Sequence, residues 1–391
     1  MLRVIQIGLG PIGREMVRSA AHRKEIRVVA AVDPADGIAG LDLAEVAEVP
    51  PEHRASIGAA GGAVAGHVRV SATLVEALAE AAAVAVVGGD VTADEGSQAT
   101  AAATPTAAAS GEGHDAAVAD VAIVTTTSDI DRVADQIAEL AAAGLAVVST
   151  CEELSYPWAT HADAAARIDA LCREHGVACL GTGVNPGFLM DYLPAALTGL
   201  CRRVRGVTVR RVQDAARRRV PFQQKIGAGL SPAEFERSVA AGSLRHVGLP
   251  ESVHMLAAAC GWGLDRVEET IAPVIAESVI DGGYRPIAPG EAAGVEQWAR
   301  GYCSPDARQE AVVTLYFRAA VGEADPRDEI EIDGEPAIRS VIPAGVDGDL
   351  ATCAVVLNAA AVVVAAAPGL HTMLDLPVPA VGGVSRRAAR A

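Results

Sequence analysis

Leu2–Ala20, LRVIQIGLGPIGREMVRSA, runs an apolar strand into a glycine turn and then into a helical pattern. Gly8, Gly10 and Gly13 form a GxGxxG. The first glycine permits the tight turn, the second lets a pyrophosphate approach the backbone, and the third lets helix and strand pack closely. Pro11 and Ile12 open the helix, whose free amides and partial positive charge suit phosphate. Alone, the glycine pattern is weak. Here the next strand, IRVVAAVDPADG, ends in Asp33, about 20 residues past Gly13, where an acid for the ribose is expected. The combination predicts a dinucleotide site. Asp33 favours NAD, because a carboxylate repels a 2′-phosphate and no arginine follows closely; use of NADP as well stays open.

Outward from this stretch, strand and helix alternate. GHVRVS, VADVAIVTTTSD, LAVVST and VACLGTG read as further strands; TLVEALAEA, IDRVADQIAELAAAG and ATHADAAARIDALCREHG read as the helices between them. That is the pattern of a doubly wound parallel α/β sheet of the Rossmann type. The texture changes after Val184. VRGVTVRRV, EAVVTLYFRAAV and DEIEIDG point to an antiparallel sheet mixed with helices, a second α+β domain. The apolar helix DLATCAVVLNAAAVVVAAA then packs back on the first domain. We therefore place a dinucleotide-binding domain at 1–155, a substrate and dimerisation domain at 156–345, and a C-terminal helix and tail at 346–391. The Gly/Ala/Ser/Thr-rich stretch at about 87–117 lacks hydrophobic periodicity and reads as a surface insertion.

Composition removes several function classes. The chain has 391 residues, enough for two domains, and a net charge of −17, which speaks against nucleic acid and anionic membranes as partners. The basic cluster Arg210, Arg211, Arg217, Arg218 and Arg219 is either a solvated strand and turn or an anion site. The apolar tract from Asn358 to Ala367 is shorter than a membrane span, and the N-terminus begins at once as a strand, so we expect no signal peptide and a cytoplasmic protein. Seven cysteines without CxxC spacing point to reduced thiols, with no disulfide framework and no metal site.

Candidate functional residues gather where the parallel strands end, the edge at which open α/β sheets bind ligands. Thr126, Thr127 and Ser128 could hydrogen-bond a nicotinamide ribose or carboxamide, or simply cap the helix at Ile130. In VVSTCEELSYP, Glu152 and Glu153 follow directly on a buried strand, either as active-site acids or as a solvated helix start. GTGVNPGFLMDYLP holds a sharp turn that places Asn185 and Phe188 where the domains change over. Tyr156, Phe188, Met190 and His254, with Trp262, are candidates for the wall of a substrate pocket, each also readable as packing. Lys225, one of two lysines, is equally a structural residue.

Taken together, GTGVNPGFLMD, STCEELSYP, KIGAGLSPAEF and GDLATCAVVLNAAAVVVAAAPGLHTMLDLP resemble the 2,4-diaminopentanoate dehydrogenase family. This group includes native NAD(P)-dependent amine dehydrogenases and is distantly related to dihydrodipicolinate reductases. The resemblance covers nearly the whole chain outside the low-complexity stretch. It implies reversible oxidative deamination of an amine, or reductive amination of a ketone or aldehyde with ammonia, through an iminium and hydride transfer to or from NAD or NADP. It also implies a homodimer, and a glutamate at the CEE position that holds and deprotonates the ammonium; we carry Glu152 and Glu153 and lean to Glu152. No residue plainly recognises a second charged group, so a simple amine is the safer substrate class.

Rival readings each lack a mark. A dihydrodipicolinate-type C=N reductase should carry a histidine pair, and no HH dipeptide occurs. A sugar oxidoreductase of the wider group should carry a lysine where CEEL has glutamate. The non-enzyme alternative is a sensor that binds NAD(P) without turnover.

Overall fold

The computed structural model describes residues 1–58, 67–88, 118–306 and 309–381. The chain divides into two compact units, Met1–Thr126 with Glu139–Val147, and Thr127–Ala138 with Val148–Ala391.

The first unit begins with β1 (Leu2–Ile7), α1 (Pro11–Ala21) and β2 (Ile26–Val32), then α2 (Leu43–Val46), β3 (Val70–Ser71), α3 (Leu74–Gly88) and β4 (Val121–Val124). Next come α4 (Ile130–Ala142) and β5 (Ala146–Ser149), both shared between the units. The strand order here is β5-β4-β1-β2-β3. β1 lies parallel to both β2 and β4. A strand paired on both sides and covered on both faces is apolar throughout. Val4 and Ile5 of β1, and all four residues of β4, are accordingly buried. Helix α1 turns Met16, Val17 and Ala20 inward, a stripe at helical spacing, and packs on β2. The expected insertion at about 87–117 lies outside the described residues from 89 onward.

The second unit takes the end of β5 into α5 (Ala162–Glu174) and β6 (Ala178–Gly181). It continues through α6 (Tyr192–Thr198), β7 (Arg203–Asp214), α7 (Val220–Lys225), α8 (Pro232–Ala240), α9 (Leu249–Ala259), β8 (Arg266–Ile275) and β9 (Ala292–Tyr302). β10 (Val313–Ala320), β11 (Arg327–Glu335), β12 (Ile338–Pro343), α10 (Gly348–Val363) and β13 (Gly369–His371) complete it. β13 pairs parallel with β6, and α10 packs against β6.

The remaining strands form a six-stranded sheet of order β12-β11-β7-β10-β9-β8. Its pairs are antiparallel except β7 with β10, which run parallel. A parallel pair needs a long crossover, and the segment from α7 through β9 supplies one. Helix α9 packs on β9 and β10, and its Val253 and Leu256 join Val295, Leu315 and Phe317 in one apolar core.

The sequence-based reading of a doubly wound parallel sheet with a second, mixed domain agrees with this architecture. The basic cluster is split between core and surface, with Arg217 exposed. Arg211 is buried and paired with Asp328 at 2.7 Å, while Arg218 and Arg219 reach Asp349 in the first turn of α10.

Candidate active site

The glycine turn of the first unit is built for close backbone approach. Gly8 sits at φ +86°, and a Cβ there would meet Thr126 Cγ2 at 2.9 Å. A Cβ on Gly13 would strike Gly8 O and come within 2.8 Å of Thr125 Oγ1. Gly10 is the opposite case, with open space where a side chain would stand. Two of the glycines thus close the turn on itself, and the third leaves its outer side clear. Pro11 takes the first position of α1 and Ile12 the next, and no side chain caps this helix. Its first-turn amides are the kind that bind phosphate oxygens.

Two residues that the motif does not include hold the turn in place. Gln6 donates to Gly8 O at 2.9 Å and to Thr125 Oγ1 at 2.9 Å, and Thr125 Oγ1 in turn bonds Gly8 O at 3.0 Å. Asp33 Oδ2 accepts from Leu9 N at 2.7 Å and Oδ1 from Ala35 N at 2.9 Å. The acid at the end of β2 therefore faces the glycine turn. This cradle fits the adenosine diphosphate half of a dinucleotide.

In the second unit, the chain leaves β5 and makes one turn of 3-10 helix, Glu152–Leu154. The two acids have separate environments. Glu153 Oε2 accepts from the amide of Ile130, the first residue of α4, at 3.0 Å. Its carboxylate also stands 3.7 Å from His161 Nε2 and 3.6 Å from Arg245. His161 reaches on to Glu251, 3.8 Å away, and Thr160 donates to the same Glu251 oxygen at 2.8 Å. Burial pushes the Glu251 carboxyl above its usual range, against the hydrogen bond from Thr160. Among the described residues the half-buried Glu152 carboxylate has no hydrogen-bond or ion-pair partner.

Glu152 also adjoins the Asn185 turn. Gly248, at φ +99°, leaves room where a Cβ would lie 2.6 Å from Pro186 Cγ and 3.0 Å from Glu152 Cβ. Within the turn, Asp191 accepts from Gly187 N at 2.7 Å, Tyr192 N at 2.6 Å and Ser252 Oγ at 2.7 Å, fastening the loop to α9. Burial nevertheless pushes the Asp191 carboxyl upward. Asn185 is buried, with its amide nitrogen 2.8 Å from His246 Nε2. Asn185 Oδ1 and Thr182 Oγ1 are buried without a protein hydrogen-bond partner. Orphaned buried oxygens in one loop mark a place where a donor from outside the chain fits.

The other candidates are dispersed. Thr126 is exposed in the first unit; Thr127 and Ser128 begin the second, where Thr127 Oγ1 accepts from Asp129 N. The cap of α4 is Asp129, which accepts from Asp131 N and Arg132 N. Tyr156 is half-buried and edge-on to Trp158, and Phe188 leans on Tyr192. Met190 is wholly buried in the core of the six-stranded sheet, and Trp262 packs against that core. His254 lies half-buried on α9, its basicity lowered by desolvation. Lys225 is exposed at the end of α7. Sequence reasoning missed Gln6, Thr125, His161, Arg245, His246 and Glu251.

The profile of the 2,4-diaminopentanoate dehydrogenase C-terminal domain matches residues 188–389. The 2,4-diaminopentanoate dehydrogenase of Acetoanaerobium sticklandii is 33% identical over 263 residues, 67% of this chain and 74% of that protein. The chain belongs to the 2,4-diaminopentanoate dehydrogenase family. The family that the GVNPGF and TCEEL segments pointed to is therefore the right one. An amine dehydrogenase from Mycobacterium smegmatis shares the fold of this family member, with a TM-score of 0.71 at 20% identity over 97% of each chain. Among the described residues no helix is long and apolar enough to cross a membrane.

Proposed function

We propose that this family member interconverts a small primary amine and its ketone or aldehyde plus ammonia, with Glu152 as the acid–base residue. It is an oxidoreductase acting on amine donors, as its family membership implies. The observation that carries the assignment is the difference between the two adjacent acids. Glu153 is engaged by Ile130 N, His161 and Arg245, whereas Glu152 is free to act beside the Asn185–Pro186 turn.

The chemistry needs such a group. A bound nicotinamide supplies the hydride acceptor. As hydride leaves the amine carbon, positive charge builds on the nitrogen, and a nearby carboxylate stabilises it. The same carboxylate takes the proton that the substrate ammonium must lose before oxidation. In the reverse direction Glu152 returns that proton. Asn185, buried with a spare acceptor, supports binding of a nitrogen-bearing ligand, and Tyr156 and Phe188 offer apolar surface to a small substrate.

For Asp33 we expect a preference for NAD over NADP, since a carboxylate at the end of β2 would repel a 2′-phosphate. The family resemblance supports a homodimer. A diamino acid substrate is the second reading, favoured by the 33% identity to the Acetoanaerobium enzyme. The test is an amine panel that includes 2,4-diaminopentanoate, run with NAD and with NADP at alkaline pH and followed by NADH or NADPH absorbance. Reduction by wild type and loss of it in Glu152→Gln support the assignment. Cofactor binding with no reduction of the cofactor by any amine would mark a sensor instead.

A further inference from the structure

The buried acceptor on Asn185 raises a question that packing does not answer. A carboxamide can turn end for end with little change of shape, so presenting oxygen instead of NH2 to a ligand requires something that fixes its orientation. We infer that His246 is the positioning residue that fixes the Asn185 amide, so that Asn185 Oδ1 faces an N–H donor on the bound ligand. The inference rests on the amine dehydrogenase reading for the identity of that ligand, and on the geometry alone for the role of His246.

His246 Nε2 lies 2.8 Å from Asn185 Nδ2. An amide nitrogen only donates, so Nε2 must present its lone pair, which requires an uncharged ring with its proton on Nδ1. The surroundings enforce the uncharged ring. Desolvation lowers the imidazole pKa to about 3, helped by the positive charges of Lys225 and Arg211. The ring therefore stays neutral at any pH at which the enzyme works.

Its position is equally constrained. The imidazole stacks on Phe317 of β10, with centroids 4.3 Å apart and planes 17° from parallel. The backbone at 246 is gripped from both sides by one buried side chain of β9. Gln297 Oε1 accepts from His246 N at 2.8 Å, and Gln297 Nε2 donates to His246 O at 3.0 Å. Gln297 Nε2 also donates to Glu269 on β8 at 2.8 Å, which fixes the orientation of the glutamine itself. A chain of contacts from β8 through β9 thus ends in a lone pair aimed at Asn185. With Nδ2 committed to His246, Oδ1 is left buried and without a protein donor. A buried oxygen held in this way suits an N–H donor, either the carboxamide of nicotinamide or the nitrogen of the amine.

The experiment is a double-mutant cycle on His246→Phe and Asn185→Ala, with wild type and the double variant. Phenylalanine keeps the stack on Phe317 and removes the lone pair. Should it not be tolerated, His246→Ala carries the same comparison. Two constants are read: the NADH dissociation constant by fluorescence, and KM against kcat for the best amine of the panel. We expect each single variant to weaken one of these constants about tenfold, the scale of one buried hydrogen bond, and the double variant to be no worse than Asn185→Ala. A change in NADH affinity identifies the carboxamide as the donor, and a change in amine KM alone identifies the substrate nitrogen. The inference is overturned if His246→Phe leaves both constants unchanged, or if the two losses simply add. Should wild type oxidise no amine, the functional reading fails by itself. The NADH titration then decides alone, and unchanged affinity in His246→Phe again overturns the inference.

Discussion

Glu153 Oε2, just past the end of β5, accepts from the backbone amide of Ile130, the first residue of α4, at 3.0 Å. The acid next to the proposed base therefore serves a helix terminus. It satisfies one of the amides that every helix leaves open and stands at the positive end of the helix dipole.

Exchanging the acids for amides separates their roles. Glu152→Gln should lower kcat by about 10²- to 10⁴-fold, the usual contribution of a positioned acid–base group, with NADH affinity and melting temperature unchanged. Glu153→Gln keeps an acceptor for Ile130 N and loses only the charge. It should lower stability by about 0.3–1 kcal/mol and leave turnover within a small factor. Equal loss of kcat in both variants would contradict the division of labour.

The glycine turn makes a second contrast. Gly13→Ala forces a methyl against Gly8 O and should destabilise the fold by at least about 1–3 kcal/mol, read as a lower denaturation midpoint. Gly10→Ala meets open space, at a φ of −62° that alanine adopts freely. It should melt like wild type while binding NADH more weakly, because the methyl enters the space a diphosphate needs. Weak binding in both with melting unchanged in both would contradict the cradle described above.

Arg211 and Asp328 form an ion pair hidden from solvent. Arg211→Met leaves an uncompensated buried carboxylate, so we expect a loss of about 3–5 kcal/mol in chemical denaturation. Replacing both residues with apolar side chains should recover much of that loss. No recovery would mean that the bond from Arg211 to Val346 O matters more than the charge pairing.

Glu251 has a carboxyl whose folded pKa is raised by burial. The folded state binds its proton more tightly than the unfolded chain, so this contribution to stability is complete below the ordinary carboxylate pKa. It is lost as pH rises through the elevated folded value. Glu251→Gln cannot ionise, and its melting temperature should fall less than that of wild type as pH rises through that window. Parallel melting curves from acid to neutral pH would refute this.

The parts of the candidate site legible in the sequence were those whose partners are close along the chain. Gly8, Gly10 and Gly13 share one turn, and Asp33 follows at the spacing that the strand–helix–strand unit imposes. The acids after β5 were legible as candidates because strand ends of open α/β sheets mark ligand edges. What escaped was built from distant pairs. Asn185 meets His246 and His246 meets Gln297 across separations of 61 and 51 residues, a closeness that only the six-stranded sheet creates. Met190 illustrates a different limit. A sulfur-bearing side chain in a loop near the site reads equally as pocket wall or as core, and its complete burial is decided by β-strands that follow much later. The parallel pairing of β7 with β10 was hidden for the same reason, since strand composition does not encode direction.

Gly248 has a practical consequence for anyone wishing to widen the range of amines accepted. Pro186 and Glu152 share the niche that its missing side chain leaves, so residue 248 acts as a spacer of zero width between the proposed base and the turn. Enlarging it would displace Glu152, the proposed proton acceptor, and the Pro186 turn. On the proposed pocket, redesign begins at Tyr156 or Phe188 and keeps this position unoccupied.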